Sequence, residues 1–220
     1  MFISPILRKD LRIELRSRFG VSAVVMFLLV TVTTILFSAP GEQIGSSLMS
    51  ALFWISLFFG ALTGLARSFV SEEERGTSFL LRLHAEPEQV FWGKYLFNLL
   101  LIVSLSISAI VMFAFFFRDF HVRDIAMFLL QLALGAVGTS AIITILSALV
   151  ARASQKGALL PVLALPVLLP LVIATTDATR ITFETTNAWE GIRGDILILF
   201  SFDIAVTLVS YVLFHLIWKE

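Results

Sequence analysis

The run YLFNLLLIVSLSISAIVMFAFFF, Tyr95 to Phe117, carries no charged residue across its 23 positions. As an α-helix it is ~35 Å long, enough to cross roughly 30 Å of hydrocarbon. Similar runs lie on both sides of it, at Val21–Ala39, Ile44–Ala66, Ile125–Val150, Ala158–Thr176 and Ile196–Trp218. The chain is 58% hydrophobic and 15% charged, with a mean hydropathy of +0.96, whereas soluble domains are about 45–50% apolar and about 25% charged. The expectation is a single-domain, all-α integral membrane protein of six spans. Ile44–Ala66 and Ile125–Val150 exceed twenty residues, which calls for tilt or extension beyond the bilayer. Phe37-Ser38-Ala39 faintly matches a signal-cleavage site, but Pro40 follows directly, and the first span reads as retained.

Lys and Arg set the orientation. With the N-terminus inside, cytoplasmic segments hold twelve of the sixteen, and outer loops hold Arg118, Arg123, Arg180 and Arg193. Both termini are therefore expected in the cytoplasm, with TDATRITFETTNAWEGIRGD as a long polar outer loop. Residues 4–19 form an amphipathic helix before the first span. Ser4-Pro5 suits its start, Leu7, Leu11 and Leu15 make an apolar stripe, and Arg8, Arg12 and Arg16 run beside it. Glu14 and Arg18 are spaced to pair at i, i+4. Such a helix belongs in the membrane interface, its arginines anchoring it at anionic headgroups.

Few residues suggest chemistry. Pro161, Pro166 and Pro170 share the fifth span and each remove a helix donor, which points to a bent or broken helix buried against protein, either moving or statically kinked. Gly60 and Gly64, and the group Gly135, Gly138 and Ser140, allow close helix approach, within one chain more than across a dimer. Asn98, Gln131 and Asp203 are polar residues inside spans. An intramembrane carboxylate is costly, so Asp203 is either a packing residue or part of transport or gating. His121 reads as a solvated outer-loop residue before a haem ligand. His84, His121 and His215 show no metal-ligand spacing, Cys is absent, and neither GxSxG nor a P-loop occurs. No catalytic or metal site is expected, and any ATP must bind a separate protein.

The densest run of carboxylates lies in the loop RSFVSEEERGTSFLLRLHAEP, Arg67 to Pro87. RSFVSEEER extends the second span, Gly76 stops it, and Thr77 or Ser78 caps a short helix FLLRLHA. Pro87 suits the first position of the next helix. A short cytoplasmic helix with exposed Phe79, Leu80 and Leu83 can dock in a groove of a soluble partner, charges setting register. The alternative, a helix lying on the membrane, is disfavoured by Glu72, Glu73 and Glu74 beside an anionic leaflet.

This layout resembles the type-2 ABC exporter permeases, with an interfacial elbow helix, six spans, and a coupling helix between spans two and three. More closely, the chain is similar to the haem exporter protein B family, the permeases of cytochrome c maturation. RKDLRIELRSR, RSFVSEEERGTSFLLRLHAEPEQVFWGKYLFNLL, ALLPVLALPVLLPLVIA and LFSFDIAV carry the resemblance over nearly the whole chain. Arg82 and His84 depart from a more apolar stretch in relatives. The resemblance implies a permease subunit of the bacterial inner membrane, paired with a second copy and a separate ATP-binding cassette subunit. It further implies the family's C and D membrane subunits and haem-loaded chaperone E, with ATP hydrolysis driving haem export or release of the loaded chaperone. This chain itself would bind no cofactor and no nucleic acid. It also implies ATPase docking at Glu72, Glu73, Glu74, Arg75, Gly76, Thr77, Phe79 and Leu80, with Pro161, Pro166, Pro170 and Asp203 as weaker candidates for the moving part. A permease for a lipid, drug or polysaccharide, or a non-transporting scaffold, would carry the same layout.

Overall fold

Small and hydroxylated residues recur along Ile125–Ala151, with Gly135 and Gly138 on one side of the helix and Ser140, Thr144 and Ser147 on the opposite side. That helix lies at the centre of the molecule. In the computed structural model, which describes residues 3–17, 19–38, 43–65, 81, 85–151 and 156–219, the described residues form seven α-helices and no strand. They are α1 (Ile3–Ser17), α2 (Phe19–Ser38), α3 (Ser46–Leu65), α4 (Pro87–Phe116), α5 (Ile125–Ala151), α6 (Lys156–Glu184) and α7 (Trp189–Lys219). Helix α5 packs against α7, α6, α4 and marginally α3, while α2 and α3 complete one flank and α1 rests chiefly on α4. Five helices, α3 to α7, are long and apolar enough to cross a membrane, and α2 offers a shorter apolar stretch, Ser22–Ser38.

Predicted and observed bounds agree within two residues for α1, α2, α3 and α5, and differ elsewhere for local reasons. Pro87 opens α4 as expected, with Glu86 at the N-cap. At the N-terminus Ile3 is already helical, so Pro5 sits inside the first turn of α1 rather than at its first position. The long polar loop after the fifth span is mostly helix. Helix α6 runs on to Glu184 and α7 begins at Trp189. Thr175, Thr179 and Thr182 bond their hydroxyls back to Leu171, Thr175 and Thr179 carbonyls, and Arg180 pairs with Asp177 at 2.6 Å and Glu184 at 3.3 Å. Polar side chains that would favour a loop are thus satisfied on a helix surface.

Contacts sort the helix ends into two groups. At one end, the base, α1, the start of α4 and the end of α7 meet, through Lys94–Asp10 and Tyr211–Glu88. At the far end, Asp119 accepts from the Ile44 N–H and Ser46 bonds Glu184. Asp124 accepts from the N–H of Met127, three residues into the first turn of α5, and from that of Ala188 in the turn before α7. The N–H groups of Arg123 and Asp124 donate to the Thr182 carbonyl. Asp124→Ala removes a helix cap and an interhelix tie together, and should cost about 1–2 kcal/mol. Asp124→Asn, which keeps the cap, should fall between, as thermal unfolding in detergent would show.

Candidate functional site

At the base, the start of α4 is held from two sides. Lys94 is wholly buried in the sequence FWGKYLF, and its Nζ lies 2.9 Å from Oδ2 of Asp10, which is 5% exposed. Lys9 reaches the other Asp10 oxygen at 3.4 Å. From α7, Tyr211 donates its hydroxyl proton to Glu88 at 2.7 Å. Between these polar contacts Phe91 of α4 packs against Tyr211 and Phe214, Trp92 against Tyr211, and Tyr95 against Phe91 and Trp92, while Trp218 stacks on Phe214. Tyr and Trp concentrated at one end of an apolar bundle fit a membrane–water interface.

The N-terminal helix presents a different face to the protein from the one the leucines mark. Ile6 and Asp10, one turn apart, are buried against the bundle, whereas Leu7 and Leu11 are half-buried and Leu15 is 71% exposed. Arg8, Arg12 and Arg16 are exposed. The apolar stripe and the arginines therefore remain available to a surrounding phase. Sequence reasoning missed Asp10 and counted Lys94 only as a basic flank. The available signals were an acid four residues after Ile6 in a basic helix, and a lysine enclosed by aromatic residues.

The charged loop falls mainly outside the described residues, including Glu72, Glu73, Glu74, Arg75, Gly76, Thr77, Phe79 and Leu80. So do Arg82, His84 and the Arg18 partner predicted for Glu14. Near the end of the loop Leu81 and Ala85 are described: both pack on the core, and the Ala85 N–H donates to the Leu81 carbonyl.

Above the base runs a buried polar column centred on α5. Asn98 donates to Thr144 at 2.8 Å, Thr144 donates to the Ser140 carbonyl, and Ser140 donates to the Tyr95 carbonyl at 2.8 Å. Toward the far end, Thr179 accepts from Gln131 at 2.6 Å and from Trp54 at 2.7 Å. From Gln131 to Ser147 the column covers ~24 Å at helical rise. Hydroxyls and amides buried in an apolar bundle serve mainly to join helices.

Asp203 of α7 sits at the middle of this column, 4% exposed, and neither carboxylate oxygen has a hydrogen-bond partner within the described residues. Gly138 makes room for it: a Cβ there would collide with Asp203 Oδ1 and with the Leu171 side chain. Gly135 likewise admits Trp54, and Gly60 faces Leu105 and Phe27. These small residues join helices within one chain, as expected. The prolines differ from expectation. Helix α6 runs unbroken through Pro161, Pro166 and Pro170, and Pro166 and Pro170 face outward while Ala164, Leu168 and Leu171 pack inward. Pro161 is half-buried, so two of the three prolines lie off the packed face. His121 is exposed and His215 half-buried, and the described residues contain no cluster of metal-ligating side chains.

The sequence profile of the CcmB protein family matches residues 1–215. A heme exporter protein B from Rhodobacter capsulatus is 29% identical over 179 residues, covering 80% of this chain and 81% of the relative. With five long apolar helices and a family match over almost its whole length, the chain is a multi-pass membrane protein that belongs to the CcmB family.

Proposed function

We propose that this chain is the permease subunit of an ATP-driven haem exporter serving cytochrome c maturation, and that it hydrolyses no nucleotide itself. The observation that carries the reading is the family match over residues 1–215, supported by the Rhodobacter capsulatus relative named as a heme exporter protein. In this reading the base of the bundle is cytoplasmic, since α1 with its arginines and Lys94 of α4 lie there. Helix α2 is the sixth span, short but within the range of roughly 17–25 residues that cross a bilayer. Helix α1 is the interfacial elbow, with Leu15 dipping toward acyl chains and Arg8, Arg12 and Arg16 at the headgroups of the inner membrane.

The cytoplasmic loop docks a separate ATP-binding cassette subunit, with Phe79 and Leu80 as anchors and Glu72, Glu73, Glu74, Arg75, Gly76 and Thr77 setting the register. Two copies of the chain work with two ATPase subunits, the family's C and D membrane subunits, and a haem chaperone at the outer face. Haem is handled by the complex. ATP-driven closure of the cassettes pushes on the loop, moves α4, and through the polar column reaches Asp203 and the proline-bearing helix α6. The end result is haem export or release of the haem-loaded chaperone.

Replacing Phe79 and Leu80 together with Asp tests the docking assignment. Affinity-purified wild-type protein is expected to retain an ATP-hydrolysing subunit, and the double variant to lose it by tenfold or more while remaining folded in the membrane. Equal recovery from both proteins would reject the loop as the docking element. Failure of the wild type to retain any such subunit would reject the exporter reading.

A further inference from the structure

We infer that Asp10 and Lys94 form the ionic link through which movement of the cytoplasmic loop reaches the N-terminal helix. The inference rests on the exporter reading and deepens it. Lys94 lies two helical turns after Pro87, where the loop ends, and one turn before Asn98, where the polar column begins. It is fully buried and reaches Asp10 at 2.9 Å. Helix α1 rests chiefly on α4 and touches α2 only slightly, so α4 is the element able to displace it. Phe19 opens α2 directly after α1, so a shift of α1 passes along the chain into α2.

A buried ion pair is a poor device for stability alone, because desolvation offsets most of its attraction. It is a good device for holding register. Its strength rises in a low dielectric, and water is excluded from competing for either partner as the helices move. Lys9 on the other Asp10 oxygen fixes the carboxylate's orientation further. Asp10 and Lys94 are thus positioning residues. They touch no substrate and keep two helices moving as one body.

The test uses the whole complex in nanodiscs. The chain contains no cysteine, so Ile13→Cys and Leu149→Cys give this subunit two defined sites for spin labels, both positions being exposed. The parent is expected to show a change in the distance between positions 13 and 149 between the nucleotide-free state and the complex held with a non-hydrolysable ATP analogue. Asp10→Leu with Lys94→Met removes both charges and leaves none stranded. This variant should keep the ATPase subunit at parental stoichiometry yet lose the distance change. Reversing the pair, Asp10→Lys with Lys94→Asp, restores an ionic link and should recover at least about half of the change. A change that persists in the Leu/Met variant overturns the proposal, as does its absence from a parent that carries the ATPase. If neither double variant assembles, the pair is purely structural and the proposal fails. A parent that carries no ATPase subunit overturns the exporter reading instead, and the two failures are therefore distinguishable.

Discussion

Adding a methyl group at position 138 is expected to destabilise this protein substantially. The Cβ of Gly138→Ala would overlap both the Asp203 carboxylate and the Leu171 side chain. Three helices meet there, α5, α6 and α7, and α5 is buried along most of its length. Overpacking of a tight core costs about 1–3 kcal/mol, and Gly138→Val should exceed the alanine variant. Thermal unfolding in detergent checks the order. A second substitution checks the cause. Asp203→Ser shortens the facing side chain, so Gly138→Ala combined with Asp203→Ser should be more stable than the sum of the single changes allows. Coupling of that kind is expected only between residues in contact. Full additivity, or a Gly138→Ala variant as stable as the parent, would show that α5 and α7 do not pack this closely.

Thr179→Val is expected to have the next largest effect, for a different reason. The Thr179 hydroxyl donates to the Thr175 carbonyl and accepts from both Gln131 and Trp54. Valine keeps the shape and strands two buried donors on separate helices. A stranded buried donor costs about 1–3 kcal/mol in soluble proteins, while hydrogen bonds between membrane helices average about 0.6 kcal/mol. A total of about 1–3 kcal/mol is therefore expected. Thr179→Ser retains the acceptor and should stay near the parent. Trp54 supplies a second readout, because its indole loses its acceptor in the valine variant and its fluorescence should shift only there.

Much of the architecture was legible because membrane spans are written in single runs of residues. Ile125–Ala151 and Ser46–Leu65 follow directly from length and hydropathy, and Pro87 marks the first position of α4. The close approaches at Gly135 and Gly138 were also readable, since only small residues fit there. Four features were not. The helical continuation to Glu184 was hidden because its threonines and charges favour loops until they bond back to their own helix. The face of α1 that packs on protein, Ile6 and Asp10, was hidden because an acid is seldom expected to face protein. The Asp10–Lys94 pair joins residues far apart in the chain, and no local pattern announces a contact made by tertiary packing. The outward placement of Pro166 and Pro170 belongs to the same class, as sequence shows their spacing but not which side of α6 is covered.

The central claim is that this chain works as the membrane part of an ATP-driven, haem-handling complex. It is tested most directly by purifying the complex with all its partners and recording a haem absorbance spectrum before and after adding ATP. The account predicts an ATP-hydrolysing subunit in the preparation and a haem signal that falls in the membrane fraction when ATP is supplied. A preparation with neither an ATPase subunit nor haem would contradict it.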